Sequence, residues 1–532
     1  MIAEIAAAAL RARLTDHEGE IALLDVREQG VFARGHILLA SNAPASRLEI
    51  EVPRLVPRRG APVVLCDGGD GLALRAARTL CRFGYRDLAV LDGGIAAWRA
   101  AGYALFEGIH VPSKAFGEFV EATWGTPHLS ALELSRLRDA GRDVVVLDSR
   151  PMSEYRHMSL PGGIDVPGAE LVHRIHDLAP DPDTLVVVNC AGRTRSIIGA
   201  QSLINAGIAN PVMALENGTM GWTLAGCELE HGRARVPPPL SDAGRAWAQG
   251  AAARVAARFG VRTIGHDTLA RWREEAAART LYLCDVRSPE EYRAGHPPGA
   301  RCAPGGQLVQ ATDGYLGIRG ARVVLIDDDG VRATMTASWL VQMGWREAYV
   351  LRDALGGELE RGPERHEVLG LDDGGSDGAL PAAELARIAE TGEVRILDFA
   401  DSRTYRAGHI EGAWWLTRAR LAPDLAAVPR APAYVLTSPD GLLARLALAV
   451  VRALVQTPVR VLTGGTEAWR AAGLPLRTGA GRLPSDPDDV HLRPYDRPPE
   501  QVEQAMRDYL RWETALLPQL ERDGTLVFPR LA

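Results

Sequence analysis

One segment of this 532-residue sequence could form a reactive thiol site: N-C-A-G-R-T-R-S-I-I-G-A-Q-S-L at 189–203. Cys190 follows a run of apolar, mostly β-branched residues, and Arg193 and Arg195 lie three and five residues after it. An apolar helical pattern begins directly after this short loop. Nearby cations and a helix N-terminus both stabilise negative charge, so this order of residues favours the thiolate of Cys190 over the thiol. The thiolate is the nucleophilic form of cysteine.

The backbone of the loop can add to this stabilisation. If the loop wraps around the sulfur, its N–H groups form an anion-binding nest. The residues that would supply them are Ala191, Gly192, Arg193, Thr194, Arg195 and Ser196. A cysteine at a strand end is by itself more often a small buried apolar residue. The loop, the two arginines and the following helix favour a nucleophile that reacts with an electrophile attached to an anion.

The elements that must position this loop occur four times along the chain. Each copy opens with an apolar strand that ends in aspartate, at Asp25, Asp148, Asp285 and Asp398. An aromatic residue, a Gly-His or Pro-Gly turn and a second apolar strand follow. The predicted loop positions come 39 to 42 residues after the aspartates, at Cys66, Cys190, Asp327 and Thr437. Short apolar strands that alternate with helical patterns predict βαβ units with a buried parallel sheet.

We therefore predict an α/β protein of four tandem domains, each a small parallel sheet flanked by helices, with a helical C-terminal tail. The predicted domains are 1–108, 125–235, 262–360 and 379–478. Between them we predict a helical linker at 236–261 and a flexible linker at 372–378. The remaining segment, 479–532, is predicted to form a loop and an amphipathic helix that docks on the body.

Composition excludes several classes of function. The formal net charge of −7 argues against nucleic acid or an acidic membrane as a partner. No window approaches the ~20 uninterrupted apolar residues of a membrane span, which predicts a soluble, cytoplasmic protein. The six cysteines form no C-x-x-C pair and no zinc-finger spacing, so we expect neither disulfides nor structural zinc. No metal or organic cofactor is expected.

The landmarks of the repeats resemble, in order, those of the rhodanese-like sulfurtransferase family. They are Asp-x-Arg at Asp148 and Arg150, the aromatic residue, the Pro-Gly turn, C-x-x-x-x-R-S from Cys190, and a closing Gly-x-x-x-W. The resemblance covers most of the chain outside the central linker and the C-terminal tail. It implies a parallel sheet with the active loop at the carboxyl end of the central strand, which is where α/β sheets bind ligands.

The resemblance also implies a reaction. Cys190 would attack the outer sulfur of thiosulfate, release sulfite and carry the sulfur as a persulfide to cyanide, a small thiol or a protein thiol. Arg193 and Arg195 would bind the sulfonate end of this small anionic donor. Asp148 and Arg150 match the family's strand-end pair and would brace the loop.

The other three loops differ from the Cys190 loop. Cys66 is predicted at the nucleophile position of the first domain, but Asp67 and Asp70 replace the arginines and would repel an anionic donor. Three interpretations are open: a vestigial site, a persulfide acceptor in a relay from Cys190, or a site for another donor. The third and fourth domains, with Asp327 and Thr437, cannot form a persulfide and are predicted to be inactive.

Three alternatives to a thiosulfate sulfurtransferase are open. Relatives of this fold with a Cys-loop-Arg cradle act as phosphatases or arsenate reductases. The loop from Cys190 to Arg195 encloses four residues, the short length that the family associates with sulfur, whereas the phosphatases have one more. The donor could instead be 3-mercaptopyruvate, although two arginines favour dianionic thiosulfate. The chain could also be a non-enzymatic scaffold.

Overall fold

The computed structural model describes residues 2–16, 19–371 and 378–531. Residues 372–377 of the predicted flexible linker lie outside the described residues. Four parallel sheets flanked by helices follow one another along the chain. The predicted fold class is therefore confirmed. In the described ranges, no helix is both long and apolar enough to cross a membrane. The cytoplasmic location stays a prediction.

The first domain has five strands and five helices. They are β1 (Ala3–Ile5), α1 (Ala7–Thr15), β2 (Ile21–Asp25), α2 (Gln29–Phe32), β3 (Ser41–Asn42), α3 (Leu48–Leu55), β4 (Val63–Cys66), α4 (Leu72–Arg82), β5 (Leu88–Leu91) and α5 (Gly94–Ala100). Helix α6 (Val111–Trp124) connects this domain to the second.

The second domain repeats this order of elements. They are β6 (His128–Leu129), α7 (Ala131–Asp139), β7 (Val144–Asp148), α8 (Met152–His157), β8 (Ile164–Asp165), α9 (Glu170–Leu178), β9 (Leu185–Asn189), α10 (Thr194–Ala206), β10 (Val212–Leu215) and α11 (Gly218–Leu224). Its strand order is β6-β10-β9-β7-β8. Strand β9 is buried along its whole length, as expected of a central strand with helices on both faces. Helix α12 (Asp242–Phe259) lies in the predicted helical linker and packs on α9.

The third domain has one strand more than the first domain and the same number of helices, because it gains a short helix before the additional strand and lacks the helix that follows the last strand. Its elements are β11 (Arg262–Ile264), α13 (His266–Glu274), β12 (Leu281–Asp285), α14 (Pro289–Ala294), β13 (Arg301–Cys302), α15 (Gly305–Gln310), α16 (Thr312–Tyr315), β14 (Ile318–Arg319), β15 (Arg322–Ile326), α17 (Val331–Gln342) and β16 (Ala348–Leu351). Strand β14 leaves its own domain and pairs antiparallel with β2 of the first. The sheet of the first domain therefore includes one strand from the third domain.

The fourth domain and the tail complete the chain. Their elements are β17 (Ala379–Leu380), α18 (Ala382–Ala389), β18 (Val394–Asp398), α19 (Ser402–Ala407), β19 (Trp414–Trp415), α20 (Leu421–Ala426), β20 (Ala433–Thr437), α21 (Leu442–Leu454), β21 (Val459–Leu462), α22 (Gly465–Ala471), α23 (Pro499–Thr514) and α24 (Leu516–Asp523). Short 3₁₀ turns lie at Glu275–Ala277, Arg418–Arg420 and Pro494–Asp496. The amphipathic helix predicted for the tail forms as two helices, which pack on α6.

The register of the strands identifies equivalent loop positions in the four domains. The aspartates that end β2, β7, β12 and β18 lie opposite Cys66, Asn189, Ile326 and Thr437. The next residues begin the loops, and they are Asp67, Cys190, Asp327 and Ser438. The backbone carbonyls of Asp67, Cys190 and Ser438 each accept a hydrogen bond from the helix that closes the domain, which supports the same alignment.

This register corrects two predicted positions. Cys66 and Thr437 do not occupy the nucleophile position of their domains, because each is the last residue of its strand. Successive residues of a strand point to opposite faces, so a shift of one residue directs the side chain away from the loop. Asp67 and Ser438 hold the position that Cys190 holds in the second domain, whereas Asp327 lies where the sequence predicts it.

Candidate active site

Cys190 lies directly after the central strand β9 of the second domain, with its side chain almost fully buried. Its Sγ donates a hydrogen bond of 3.5 Å to Ser196 Oγ. Its carbonyl accepts one of 2.8 Å from the N–H of Thr219. Gly218 is required beneath it: its φ is +54°, and a Cβ there would lie 2.3 Å from the Cys190 carbonyl oxygen. The closing turn therefore packs directly against the loop.

Asp148 and Arg150 form a buried pair beside this loop. Arg150 Nε and Nη2 each donate to the Asp148 carboxylate at 2.8 Å. Arg150 also donates to the carbonyl of Met158 at 2.6 Å, and Asn189 Nδ2 donates to Asp148 at 2.9 Å. The pair thus joins the strand end before Cys190 to the segment after α8. These are contacts that a brace would make.

Arg193 points from the loop toward the interdomain helix α6. It donates to both oxygens of Glu118 at 2.7 and 2.9 Å, and it also pairs with Glu121. Burial opposes the charge of the guanidinium, but Glu118 and Glu121 outweigh it and raise the pKa of Arg193. The arginine is therefore charged and already satisfied by carboxylates of another element.

Arg195 is satisfied in the same way, but from its own domain. It donates to both oxygens of Glu154 at 2.8 Å, and to Gln307 of the third domain at 3.3 Å. Burial alone would raise the pKa of Glu154, but Arg195 outweighs it and lowers that pKa to about 2. The sequence pattern predicts two cations in the loop, and the structure neutralises both of them.

The remaining loop residues contact the tail and the closing turn. The Thr194 hydroxyl donates to Glu513 of α23 at 2.6 Å. A Cβ on Gly192 would lie 3.2 Å from Tyr509 Cε1 and 3.1 Å from Glu513 Oε2. Ala191 accepts from the N–H of Met220 at 3.1 Å. Ser196 accepts the Cys190 hydrogen bond and donates to the Arg193 carbonyl at 2.8 Å. All the predicted loop residues therefore lie together.

A cavity of about 1060 Å³ opens over Cys190. The second domain supplies its floor, and Gln307 and Gln310 of the third domain contribute to its wall. The end of the first domain (107–110) and tail residues between 491 and 512 line it as well. Three domains and the tail thus build one site.

Several residues near this site escaped the sequence prediction, among them Lys114 of α6 and Tyr495, Tyr509 and Glu513 of the tail. The Tyr495 and Thr219 hydroxyls lie 2.9 Å apart, and Lys114 and Tyr509 line the cavity. The tail residues belong to a segment predicted to dock, but nothing in their spacing relates them to Cys190. Lys114 had a signal in the composition, because it is the only lysine of the chain.

In the first and third domains, the residue at the position equivalent to Cys190 is an aspartate whose side chain accepts hydrogen bonds from nearby backbone amides. Asp327 accepts from the N–H groups of Gly330 at 2.8 Å and Ala333 at 2.9 Å. Asp67 accepts in the same way from Gly69 at 2.8 Å and Ala73 at 2.9 Å. In the fourth domain, Ser438 Oγ accepts from Ala444 at 3.4 Å. In the first, third and fourth domains, backbone amides therefore bind a side-chain oxygen of the residue at the position equivalent to Cys190.

Cys66 lies in a different environment from Cys190. It is fully buried in the apolar cluster on one face of the first sheet. Burial and the nearby Asp25 raise the pKa of its thiol well above the ordinary value. A thiol held neutral in this way is a poor nucleophile.

Comparison with known proteins agrees with this repeated architecture. The rhodanese-like domain family matches residues 6–101, 130–225, 266–356 and 381–472. The chain belongs to the rhodanese-like family. It is a multidomain member, with four rhodanese-like domains and a helical tail that the family match does not include.

This rhodanese-like chain is also similar to individual proteins over part or all of its length. The crystal structure of a thiosulfate sulfurtransferase from Pseudomonas aeruginosa is 50% identical, covers 100% of both chains and superposes with a TM-score of 0.94. SseB of Mycobacterium tuberculosis, which carries the name of a thiosulfate sulfurtransferase, is 28% identical over 249 residues, 38% of this chain and 78% of that protein. An HTH-type transcriptional regulator from the same species is 34% identical over 110 residues, 20% of this chain and 47% of the relative.

Proposed function

We propose that this protein is a thiosulfate sulfurtransferase that carries sulfur as a persulfide on Cys190. The relative that matches the whole chain bears that name. The second domain places a thiol at the loop position, where the other three domains have Asp67, Asp327 and Ser438. The proposed reaction needs no cofactor.

The main support for this proposal comes from the aspartates at the position equivalent to Cys190 in the first and third domains. At Asp67 and Asp327, amides of the loop and of the helix that follows it bind the oxygen atoms of a carboxyl group at one defined position. Cys190 occupies that position in the second domain, and the amide equivalent to Ala73 and Ala333 is that of Ser196. It lies in the first turn of α10, where amide groups have no partner within the helix. These amides and the helix dipole would stabilise a thiolate and the terminal sulfur of a persulfide.

The proposed reaction has two balanced steps. The Cys190 thiolate attacks the outer sulfur of thiosulfate, the sulfur–sulfur bond of the donor breaks, and sulfite leaves with its electron pair. An acceptor thiolate or cyanide then attacks the outer sulfur of the persulfide. The bond to Cys190 Sγ breaks and regenerates the thiolate. The loop amides hold a negative or strongly polarised sulfur throughout, which is where preorganised donors lower a barrier.

The mass of the intact protein after incubation with thiosulfate tests this proposal. We expect the wild type to gain one sulfur atom per chain and Cys190→Ser to gain none. Cys66→Ser is the matched control, because it replaces another buried thiol at a strand end, and it should load like the wild type. Loss of the adduct in Cys66→Ser instead would assign the reaction to the first domain. A wild type that gains no sulfur but reacts with 3-mercaptopyruvate or a phosphate ester would overturn the choice of donor.

A further inference from the structure

The basic residues of this chain are distributed in an unusual way. Of the 60 lysine and arginine residues, 59 are arginine, and Lys114 is the single exception. Arginine suits ion pairs and bidentate contacts with carboxylates, and the two loop arginines of the site are used in that way. A lysine differs in having a compact ammonium group with three rotatable donors on a flexible stem. The one place where the chain has this group is the wall of the Cys190 cavity.

Helix α6 directs Lys114 toward the active loop. Residues three and four apart lie on one face of a helix, so Lys114, Gly117 and Glu118 share a face. Gly117 is packed so closely on the start of α10 that a Cβ would lie 2.9 Å from the Cα of Thr194. Glu118 holds Arg193 on the next turn of the same face. Lys114 therefore lies one turn before a close contact with the loop.

The tail surrounds the ammonium group without enclosing it. Lys114 Nζ lies 3.7 Å from Glu513 Oε1, which is longer than a hydrogen bond, and 5.8 Å from the centre of the Tyr509 ring. Glu513 is fully buried, and Lys114 is 9% exposed and lines the cavity together with Tyr509. Burial opposes the charge, but Tyr509 and Glu513 outweigh it and raise the pKa of Lys114 to about 12. The group is thus a permanent cation at physiological pH.

The described cations that contact the active loop or its brace are Lys114, Arg150, Arg193 and Arg195, and of these Lys114 alone lacks a bidentate carboxylate. Arg493, which Asp496 holds, and Arg497 line the cavity from the tail. Arg193 and Arg195 are held by bidentate carboxylates, and Arg150 is held by Asp148. A donor would have to break those pairs to reach the guanidinium groups, which would leave the buried Glu118 and Asp148 or the half-buried Glu154 unpaired. The contact between Lys114 and Glu513 is longer, and the ammonium keeps donors for a second anion.

We propose that Lys114 binds the anionic end of the sulfur donor in front of Cys190, and that Tyr509 and Glu513 of the tail hold it there. This assignment rests on the proposed function. The ligand class is a small sulfonate-bearing anion, with thiosulfate as the probe. The interdomain helix and the tail then supply the binding charge, while the loop arginines maintain the shape of the loop.

Lys114→Met tests this role, because it keeps the length of the stem and removes the charge. We expect the thiosulfate concentration that loads half of Cys190 to rise about 10- to 100-fold, since one charge-assisted contact is lost. The final load of one sulfur per chain should not change. Arg319→Met is the matched control: it removes a half-buried cation that stacks on Trp345 at a separate pocket, and its half-loading concentration should equal that of the wild type.

Alkylation of Cys190 distinguishes the loss of the Lys114 charge from a change in the fold around the thiol. The rate with anionic iodoacetate should fall in Lys114→Met, while the rate with neutral iodoacetamide should not, when both are measured on the Cys190 peptide. Equal half-loading concentrations in Lys114→Met and the wild type would overturn the inference. Equal losses with both alkylating reagents would also overturn it, because Lys114 would then act on the thiolate or the fold. If thiosulfate loads neither protein, the proposed function fails, and the ratio of the two alkylation rates still tests Lys114.

Discussion

At the scale of single residues, the strand-end aspartates show how a missing partner changes a buried charge. Asp25, Asp148 and Asp285 each accept a guanidinium from the arginine two residues later. In the fourth domain that residue is Ala400, and Asp398 accepts only its backbone N–H, at 2.9 Å, with Oδ2 left without a hydrogen bond in the described chain. Burial raises the pKa of Asp398 to about 7.

This shift predicts a pH dependence that belongs to the fourth domain. Between the ordinary pKa of 3.8 and about 7, unfolded Asp398 is ionised while folded Asp398 keeps its proton, so its contribution to stability falls as pH rises. Asp398→Asn removes this loss. We expect hydrogen exchange of strand 394–398 to be slower in the variant than in the wild type above pH 4, with a difference that levels off above pH 7. Strand 144–148 is the control, because its Asp148 is paired with Arg150. The difference in exchange rate between the variant and the wild type should not grow with pH in that strand.

At the scale of elements, helix α23 and the active loop stabilise each other. Glu513 brings a fully buried carboxylate to the start of α10, where Thr194 donates to it and Lys114 lies nearby. Trp512 packs on Gly108, where a Cβ would lie 2.3 Å from its ring. The tail therefore docks through specific contacts as well as through its apolar face.

Thr194→Val should loosen this docking without changing the shape of the residue much. The change leaves the buried Glu513 oxygen without its donor, at a cost of about 1 to 3 kcal/mol. We expect faster hydrogen exchange along 499–514 and slower sulfur loading of Cys190. Thr336→Val is the matched control, because that buried hydroxyl donates to a carbonyl of its own helix. If both variants leave the exchange of α23 unchanged, the tail docks independently of the loop.

At the scale of the whole molecule, the domains pack against one another, and the first and third share a hydrophobic core. Strand β14 adds to the sheet of the first domain, and the largest apolar cluster includes residues of the first domain, the third domain, α6 and α24. The buried Tyr282 hydroxyl donates to the Leu55 carbonyl of the first domain at 2.5 Å and accepts the Ile318 N–H at 3.0 Å. This arrangement predicts that the first and third domains unfold together.

Tyr282→Phe tests this coupling. It leaves the Leu55 carbonyl and the Ile318 N–H without a partner, which costs about 1 to 3 kcal/mol. We expect faster hydrogen exchange in helix 48–55 of the first domain as well as around 318. Tyr292→Phe is the control within the third domain, because its hydroxyl donates to Ala300 of the same domain. A loss of protection in Tyr282→Phe that stays within the third domain would show that the two domains unfold separately.

The order of residues along the chain was enough to predict the four α/β domains, the family and the loop around Cys190. These depend on local order: apolar runs that end in aspartate, a repeated spacing, and a cysteine followed by arginines and a helix. It assigned the loop position to Cys66 and Thr437, one residue too early, because it does not contain the strand register, which is set by hydrogen bonds between segments about 40 residues apart.

The surroundings of the loop depend on contacts that form only when the chain is folded. Glu118, Glu513 and Lys114 reach the site from α6 and the tail, and contacts between residues so distant in sequence leave no periodic pattern to read. Whether Arg193 is a free cation or a satisfied one depends on those contacts. A sequence states which charges a chain has, whereas the fold decides which of them are neutralised and which face a substrate.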